Sequence, residues 1–374
     1  MLSILCMSLM YLTYFTPFLF SFFGGLILTF LARRLALRWK IVDVPQKPRK
    51  IHKKPTPLLG GMAVFLSFIL VILIYAFFTS RILDGYILPK HLIGIFLGGL
   101  FLMIGGALDD KFSLKPSHQI IWPILATLTI IVSGIGITYI TNPLGGTLYL
   151  DTLKIHLFFF RGIPYAITFW ADFFTLFWLM GMMYTTKFLD GLDGLATGVT
   201  GIGALIIFFL CLTPRVGQPE TAMFAVILAG ACLGFLVFNF HPARIFLGEG
   251  GSTFLGFMLG ILAIISGGKI ATALLIMGIP ILDAVWVIIR RFFWERKPMT
   301  QADRKHLHFR LLDIGLSHRQ AVIFLYFLTL GFGLLALYLQ TREKLLALGI
   351  LSGVMIVLGV SLVVGYRLKL KVKN

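Results

Sequence analysis

The sequence predicts an all-α polytopic membrane protein with about eleven transmembrane helices, forming one membrane domain over residues 1–374. Three observations predict it. Hydrophobic residues make up 58% of the chain, against about 45–50% apolar in an ordinary soluble domain. Charged residues make up 13%, roughly half the usual share, and the mean hydropathy is +0.95. The apolar residues also gather into runs of the roughly 17–25 that cross a hydrocarbon layer. So little polar surface excludes a soluble globular enzyme of this size, and the same numbers exclude disorder.

Taken in order, the first span is Tyr11–Ala32. It has no Lys or Arg before it and no small-residue cleavage site after it, so it reads as a span and not as a removed signal peptide. Leu58–Ser80, His91–Leu108 and Ile120–Ile140 follow as uninterrupted apolar runs. Thr141–Arg161 is the longest external connection, and its "NPLGGTLYL" is turn-rich with some strand character. Pro164–Thr186, Leu195–Leu212, Thr221–Phe240 and Gly251–Ser266 come next, then Ile270–Ile289, Ala321–Leu339 and Leu345–Tyr366. The eighth run is short and its boundary with the ninth, residues 267–269, is soft, so ten or twelve spans are the alternatives.

The charge is strongly one-sided: 33 Lys and Arg against 15 Asp and Glu give +18. In a soluble protein this would suggest nucleic acid; in a membrane protein it marks cytoplasmic loops and attraction to anionic lipid. Every second loop, starting at Arg33–Pro57 and ending with the C-terminal tail, together holds 25 of the 33 basic residues. That bias places the N-terminus outside and the C-terminus in the cytoplasm. The three cysteines, Cys6, Cys211 and Cys232, lie in apolar runs without a CxxC pair, so neither a disulfide framework nor a thiolate metal site is expected.

The acidic residues carry the chemical signal. Asp109, Asp110, Asp190, Asp193 and Glu249 all fall at ends of spans on the cytoplasmic side, in Gly-rich surroundings. Oxygen ligands suit Mg²⁺, which takes one or two carboxylates and leaves room for substrate phosphates. In "GGALDDKFSL", Asp109 and Asp110 are adjacent and would point in different directions on a helix; alone, this pair reads as a solvated loop. "KFLDGLDGLATG" is stronger, since Asp190 and Asp193 share a face if the segment is helical, and the glycines allow close approach of a ligand. "NFHPARIFLGEGGSTFLG" brings Glu249 and a candidate cap, Ser252, to a helix start suited to anions.

Two basic loops complete the set. "DVPQKPRKIHKKPTPLLGG" carries Lys50 and His52. In the long loop before the tenth span, His306, His308 and Arg310 alternate, which places them on one side if the stretch is extended. Most of these charges read as positive-inside anchors, but HxHxR beside acidic residues points to diphosphate binding with arginine as bidentate donor. Asp283, inside the ninth span, lies seven residues before Arg290, and a structural ion pair between them is at least as good a reading as catalysis. Asp172 reads as structural.

These motifs, in this order, resemble the polyprenyl-phosphate N-acetylhexosamine-1-phosphate transferases, integral membrane enzymes of bacteria. The resemblance runs from about Asp43 to about Gln320 through "RKIHKKPTPLLGG", "GALDDKFSL", "DGLDGLATG", "FNFHPARIFLGEGGSTFLG", "PILDAVWVIIRR" and "HLHFRLLDIGLSHRQ". It implies about eleven spans, a Mg²⁺ cofactor (Mn²⁺ the alternative), and a site on the cytoplasmic face of the bacterial inner membrane. It implies transfer of a sugar-1-phosphate from a UDP-sugar to undecaprenyl phosphate with release of UMP, as the first membrane step of envelope glycan synthesis. The basic loops look like the branch using UDP-GlcNAc; the branch using UDP-MurNAc-pentapeptide is the alternative. By the same resemblance, Asp109 and Asp110 lie near metal and lipid phosphate, Asp190 and Asp193 near metal and nucleotide, and Glu249 ligates metal. Asn239 and Phe246 would contact the uracil, and Lys50, His52, His306, His308 and Arg310 would grip phosphates and sugar.

The chain departs from the family pattern at four places. Tyr184 and Lys187 stand where the family has NxxN, Glu249 replaces an aspartate, and Phe309 replaces the second histidine of HxHHR. Lys187 would bring a positive charge to the diphosphate or reshape the nucleotide pocket. The expected reaction is in-line attack of the lipid phosphate on the β-phosphorus of the donor, with a phosphoryl-aspartate route as runner-up. A secondary transporter or flippase, the rival from another class, would carry its charges at the membrane midplane, where Asp283 is the only good candidate. Nucleic acid is not an expected partner, and the sequence leaves the oligomeric state open, a homodimer included.

Overall fold

A computed structural model of the chain describes residues 2–45, 54–79, 81–83, 85–142, 146–160, 163–267, 269–295 and 305–373. Lys50 and His52 lie outside the described residues. The architecture is an all-α polytopic bundle with three small antiparallel hairpins. Among the described residues, nine helices are long and apolar enough to cross a membrane, and a bent helix pair makes a tenth.

Helix α1 (Leu2–Arg38) leads through a two-stranded clip, β1 (Val42–Asp43) and β2 (Thr56–Pro57), into α2 (Gly60–Phe78). α3 (Pro89–Phe112) opens on a proline, suited to the first helical turn, and closes on Ser113 with a left-handed backbone at φ 52°. Its final turn contains Asp109 and Asp110, so both are helical and not in a loop. A short turn, α4 (Pro116–Gln119), precedes α5 (Ile121–Ser133), which Gly134 ends at φ 88°. The expected fourth span is therefore shorter than Ile120–Ile140. The region after it forms β3 (Tyr139–Thr141) paired with β4 (Thr147–Tyr149), then β5 (Lys154–Phe160) paired with β6 (Ile163–Thr168). The expected fifth span began at Pro164, but β6 takes those residues because β-branched and aromatic side chains alternate there, and α6 starts at Phe169 and ends at Leu189.

α7 (Leu195–Leu212), α8 (Pro219–Asn239) and α9 (Gly248–Ile265) follow. The expected ninth span is broken into α10 (Ile270–Ile276) and α11 (Gly278–Arg290), bent by 78° at Met277. A π-turn (Arg291–Glu295) ends α11; α12 (Leu307–Asp313), α13 (His318–Tyr338) and α14 (Thr341–Lys373) complete the chain. A capping box starts α13, with Ser317 N–H donating to Gln320 Oε1 at 2.9 Å.

Helix α9 is the centre of the bundle, contacting α2, α3, α6, α7, α8 and α10. Every residue of α9 except Glu249 is buried. Small residues let its neighbours come close, as membrane helices require in the absence of a strong hydrophobic drive. A Cβ at Gly106 of α3 would fall on the Gly250 backbone of α9. Hydroxyls join the other helices: Ser21 donates to Ile227 O at 2.6 Å, and Ser67 donates to Ser21 O at 2.7 Å.

Candidate active site

Three helix ends meet where the acidic residues lie: the C-terminal ends of α3 and α6 and the N-terminal end of α9. Asp109 and Asp110 point apart. Asp109 Oδ1 accepts from Leu114 N–H at 2.7 Å and from Gln119 Nε2 at 2.9 Å, which closes the turn leaving α3. Asp110 faces α9 instead, and its two oxygens accept from Glu249 N–H at 3.2 and 3.3 Å. The carboxyl oxygens satisfy an orphan donor at a helix start. Gly248 makes this fit possible: its φ is +78°, and a Cβ there would stand 2.5 Å from Asp110 Oδ2. Ser252, expected as the cap of this helix, lies inside it and donates back to Glu249 O at 3.1 Å. The helix starts earlier than its apolar run because the Gly-Glu-Gly-Gly turn is itself helical.

From α6, the Lys187 ammonium forms an ion pair with Glu249 Oε1. It also donates to Gln119 Oε1 at 3.3 Å and lies 5.5 Å from the centre of the Tyr184 ring. One polar chain thus runs Asp109, Gln119, Lys187, Glu249, Asp110, tying three helix ends together.

The DGLDG segment is a turn and not a helix, so Asp190 and Asp193 do not share a helical face. Asp190 ends α6 at φ −76°, ψ 45°, and Gly194 starts α7 at φ 80°. Burial pushes the Asp190 carboxyl up to about 7, and the charges of Glu249 and Asp193 add to the effect. Asp193 turns the other way. Its Oδ2 accepts from His241 Nδ1 at 2.7 Å and from Ala243 N–H at 3.1 Å, while its own N–H donates to His318 Nε2 at 2.8 Å. The two imidazoles stack at 4.0 Å. Among the described residues, Asp193, His241 and His318 bring ligand-type atoms within 4.8 Å of one another; hydrogen bonds hold them as a clasp on the turn, and His318 Nδ1 stays buried without a partner. Tyr326 of α13 completes it by donating to Gly194 O at 2.5 Å.

Asn239 is buried, donating to Ile245 O at 3.0 Å and accepting from Thr197 Oγ1 at 3.0 Å. It therefore fixes the backbone just before Phe246, whose N–H donates to Pro57 O at 2.8 Å.

The HxHxR stretch is not extended. His306 precedes α12, and His308 and Arg310 lie within it. His306 and His308 nevertheless lie face to face, 5.6 Å apart and 5° from parallel, with Phe188 stacked on His306 at 5.8 Å. His308 Nε2 sits against Gly191, where a side chain would collide with it. Burial holds the His308 imidazole far below its ordinary value, near 3, so it is neutral. Asp283 does not pair with Arg290. Its Oδ2 accepts from His306 Nδ1 at 2.8 Å, and its Oδ1 accepts from Leu307 N–H at 2.8 Å. Arg290 is drawn to Glu295 at 3.3 Å. The 78° bend turns α11 so that Asp283 reaches the loop bearing His306.

The residues fit a hard divalent cation. Asp110, Asp190 and Glu249 offer oxygens alone, as Mg²⁺ prefers, and burial, with the charges of Glu249 and Asp193 added, is what raises Asp190. Sequence reasoning missed Gln119, His241, His318 and Tyr326. Both histidines stand inside motifs already singled out, whereas Gln119 and Tyr326 carry no local signal.

Residues 92–267 match the model of glycosyl transferase family 4. The chain is 33% identical over 319 residues to the decaprenyl-phosphate N-acetylglucosaminephosphotransferase of Mycolicibacterium smegmatis, covering 79% of this chain and 74% of that one. It is 29% identical over 340 residues to the probable undecaprenyl-phosphate N-acetylglucosaminyl 1-phosphate transferase of Bacillus subtilis, covering 89% and 87%. The undecaprenyl-phosphate alpha-N-acetylglucosaminyl 1-phosphate transferase of Escherichia coli K12 is 29% identical over 335 residues, with 87% and 83% covered.

Proposed function

Because this chain belongs to the polyprenyl-phosphate N-acetylglucosamine-1-phosphate transferases, we propose that it moves GlcNAc-1-phosphate from UDP-GlcNAc to undecaprenyl phosphate. UMP is released, and the site opens to the cytoplasmic face of a bacterial inner membrane. The observation that carries the reading is the meeting of Asp109, Asp110, Asp190 and Glu249 at three helix ends, with the His306–Arg310 segment close to the DGLDG turn.

Asp110, Asp190 and Glu249 would hold Mg²⁺, which when bound neutralises the donor diphosphate and stabilises the leaving UMP. The acceptor needs little help to become a nucleophile, since a phosphate monoester loses its second proton at about pH 6. Asp109, already accepting two hydrogen bonds, therefore acts by positioning the end of α3 and not by removing a proton. Arg310 supplies a bidentate donor for phosphate, and His308 enters as a neutral imidazole. Asn239 holds the segment on which Phe246 would stack against the uracil. A lipid phosphate oxygen attacks the β-phosphorus, the bond from that phosphorus to the bridging oxygen breaks, and the bridging oxygen leaves on UMP.

The test uses purified protein, undecaprenyl phosphate, Mg²⁺ and a panel of UDP-sugars, following UMP. Lipid-dependent UMP from UDP-GlcNAc is expected. Release only from UDP-MurNAc-pentapeptide would keep the chemistry and overturn the donor.

A further inference from the structure

Two of the residues that set this chain apart from its family pattern, Tyr184 and Lys187, lie one turn apart on α6, and a third, Glu249, distant in sequence, meets them in the structure. The Lys187 ammonium is paired with Glu249, supported by Gln119 Oε1 at 3.3 Å and by the Tyr184 ring at 5.5 Å. Both members of the pair are about four-fifths shielded, with side-chain exposures of 21% and 20%. A shielded pair is hard to break, because each charge left alone loses its partner without regaining full hydration. Yet Glu249 is the one residue of α9 that is not buried; its backbone N–H holds Asp110, and its charge acts on the buried Asp190.

We propose that Lys187 is a built-in counter-ion that occupies Glu249 in the metal-free protein and is displaced when a divalent cation takes that carboxylate. The proposal rests on the reading of Asp110, Asp190 and Glu249 as the metal site. Glutamate in place of aspartate fits it: the longer side chain of α9 reaches a lysine on α6 that a shorter carboxylate would approach less closely. Lysine suits the task because its ammonium is a compact charge on a flexible four-carbon stem. Once released, it stays beside the turn at Asp190, within reach of an anionic diphosphate. The consequence is a coupling. Metal alone must compete with Lys187 for Glu249, whereas metal arriving with a diphosphate offers the displaced ammonium a new anionic partner. Donor and metal therefore favour each other's binding, and idle metal occupancy is low.

The test is direct binding of Mn²⁺, followed by electron paramagnetic resonance, to the full chain purified without metal. Wild type is compared with Lys187→Gln, Lys187→Arg and Glu249→Gln. Lys187→Gln is expected to bind Mn²⁺ about tenfold more tightly than wild type, the order expected when a shielded charge partner worth about 1.4 kcal/mol is removed. Lys187→Arg, which keeps the charge, should bind as wild type does, and Glu249→Gln should lose the site. Adding UDP should tighten Mn²⁺ binding to wild type more than to Lys187→Gln, which no longer has an ammonium to displace. If Glu249→Gln abolishes saturable Mn²⁺ binding while Lys187→Gln binds no more tightly than wild type, the metal site stands and the counter-ion proposal is overturned. If Mn²⁺ binding is indifferent to Glu249, or saturates in no form of the protein, the metal-site reading fails and takes the proposal with it. Thermal unfolding of each variant confirms that a folded protein is being compared.

Discussion

Asp283 accepts a hydrogen bond from His306 Nδ1 at 2.8 Å and so holds the residue that precedes α12. Seven residues from Arg290 on the same helix, α11, it shares the arginine's face, yet its carboxylate accepts from His306 Nδ1 and from the Leu307 N–H of the following segment instead. A carboxylate on Nδ1 fixes the tautomer and ring orientation of the histidine, leaving Nε2 for a ligand. Replacing Asp283 by Asn keeps the shape and the hydrogen bond to Leu307 but removes the charge that orients the ring. We expect kcat to fall about tenfold to hundredfold, the range for carboxylates that orient a working histidine, with the KM for the UDP-sugar little changed. Steady-state UMP release measures both. A fall in KM-dependent binding alone, with kcat intact, would make Asp283 a structural residue only.

At the scale of the elements, the polar chain from Asp109 to Asp110 depends on how closely α3 and α9 approach at Gly106 and Gly250. Side chains there would part the helices and separate Asp110 from the Glu249 N–H. Gly106→Val should destabilise the protein by about 1–3 kcal/mol, the usual range for overpacking, and should weaken activity beyond that loss. Gly349→Ala, at a site with nothing within 4 Å, serves as the control and should change neither. Thermal unfolding with and without donor reads the difference. The elements themselves were largely legible in the sequence, because a run of apolar residues long enough to cross a membrane has few other fates. α7 and α8 fall close to their expected bounds for that reason. The hairpin of β5 and β6 and the bend in the ninth span were not legible, since apolar length is the same for a straight span, a broken one and a buried strand. Among site residues, the acidic clusters stood out because carboxylates at membrane depth are costly and rare. Gln119 and Tyr326 did not, as nothing in their local sequence distinguishes them from ordinary surface or span residues.

For the whole molecule, the carboxylate site and most of the basic residues should share one side of the membrane. In the orientation we propose from the excess of Lys and Arg in alternate loops, that side is the cytoplasm and the hairpin around Asn142 lies outside. In intact cells, a cysteine placed at Asn142 should react with a membrane-impermeant maleimide, while cysteines at Lys115 or Arg244 should react only after the membrane is opened. Labelling at Lys115 from outside would invert the topology and place the site away from any cytoplasmic nucleotide.

Direct transfer to the lipid phosphate is tested by following the two phosphorus atoms of the donor. UDP-GlcNAc carrying different labels at the α- and β-positions is incubated with the protein, Mg²⁺ and undecaprenyl phosphate, and the products are partitioned into lipid and water. Direct transfer puts the β-label in a lipid-linked diphosphate bearing GlcNAc and the α-label in water as UMP, with no label held on the protein when the lipid is left out. A β-label that stays in water as UDP or free phosphate, or that accumulates on the protein without acceptor, would contradict direct transfer to the lipid phosphate.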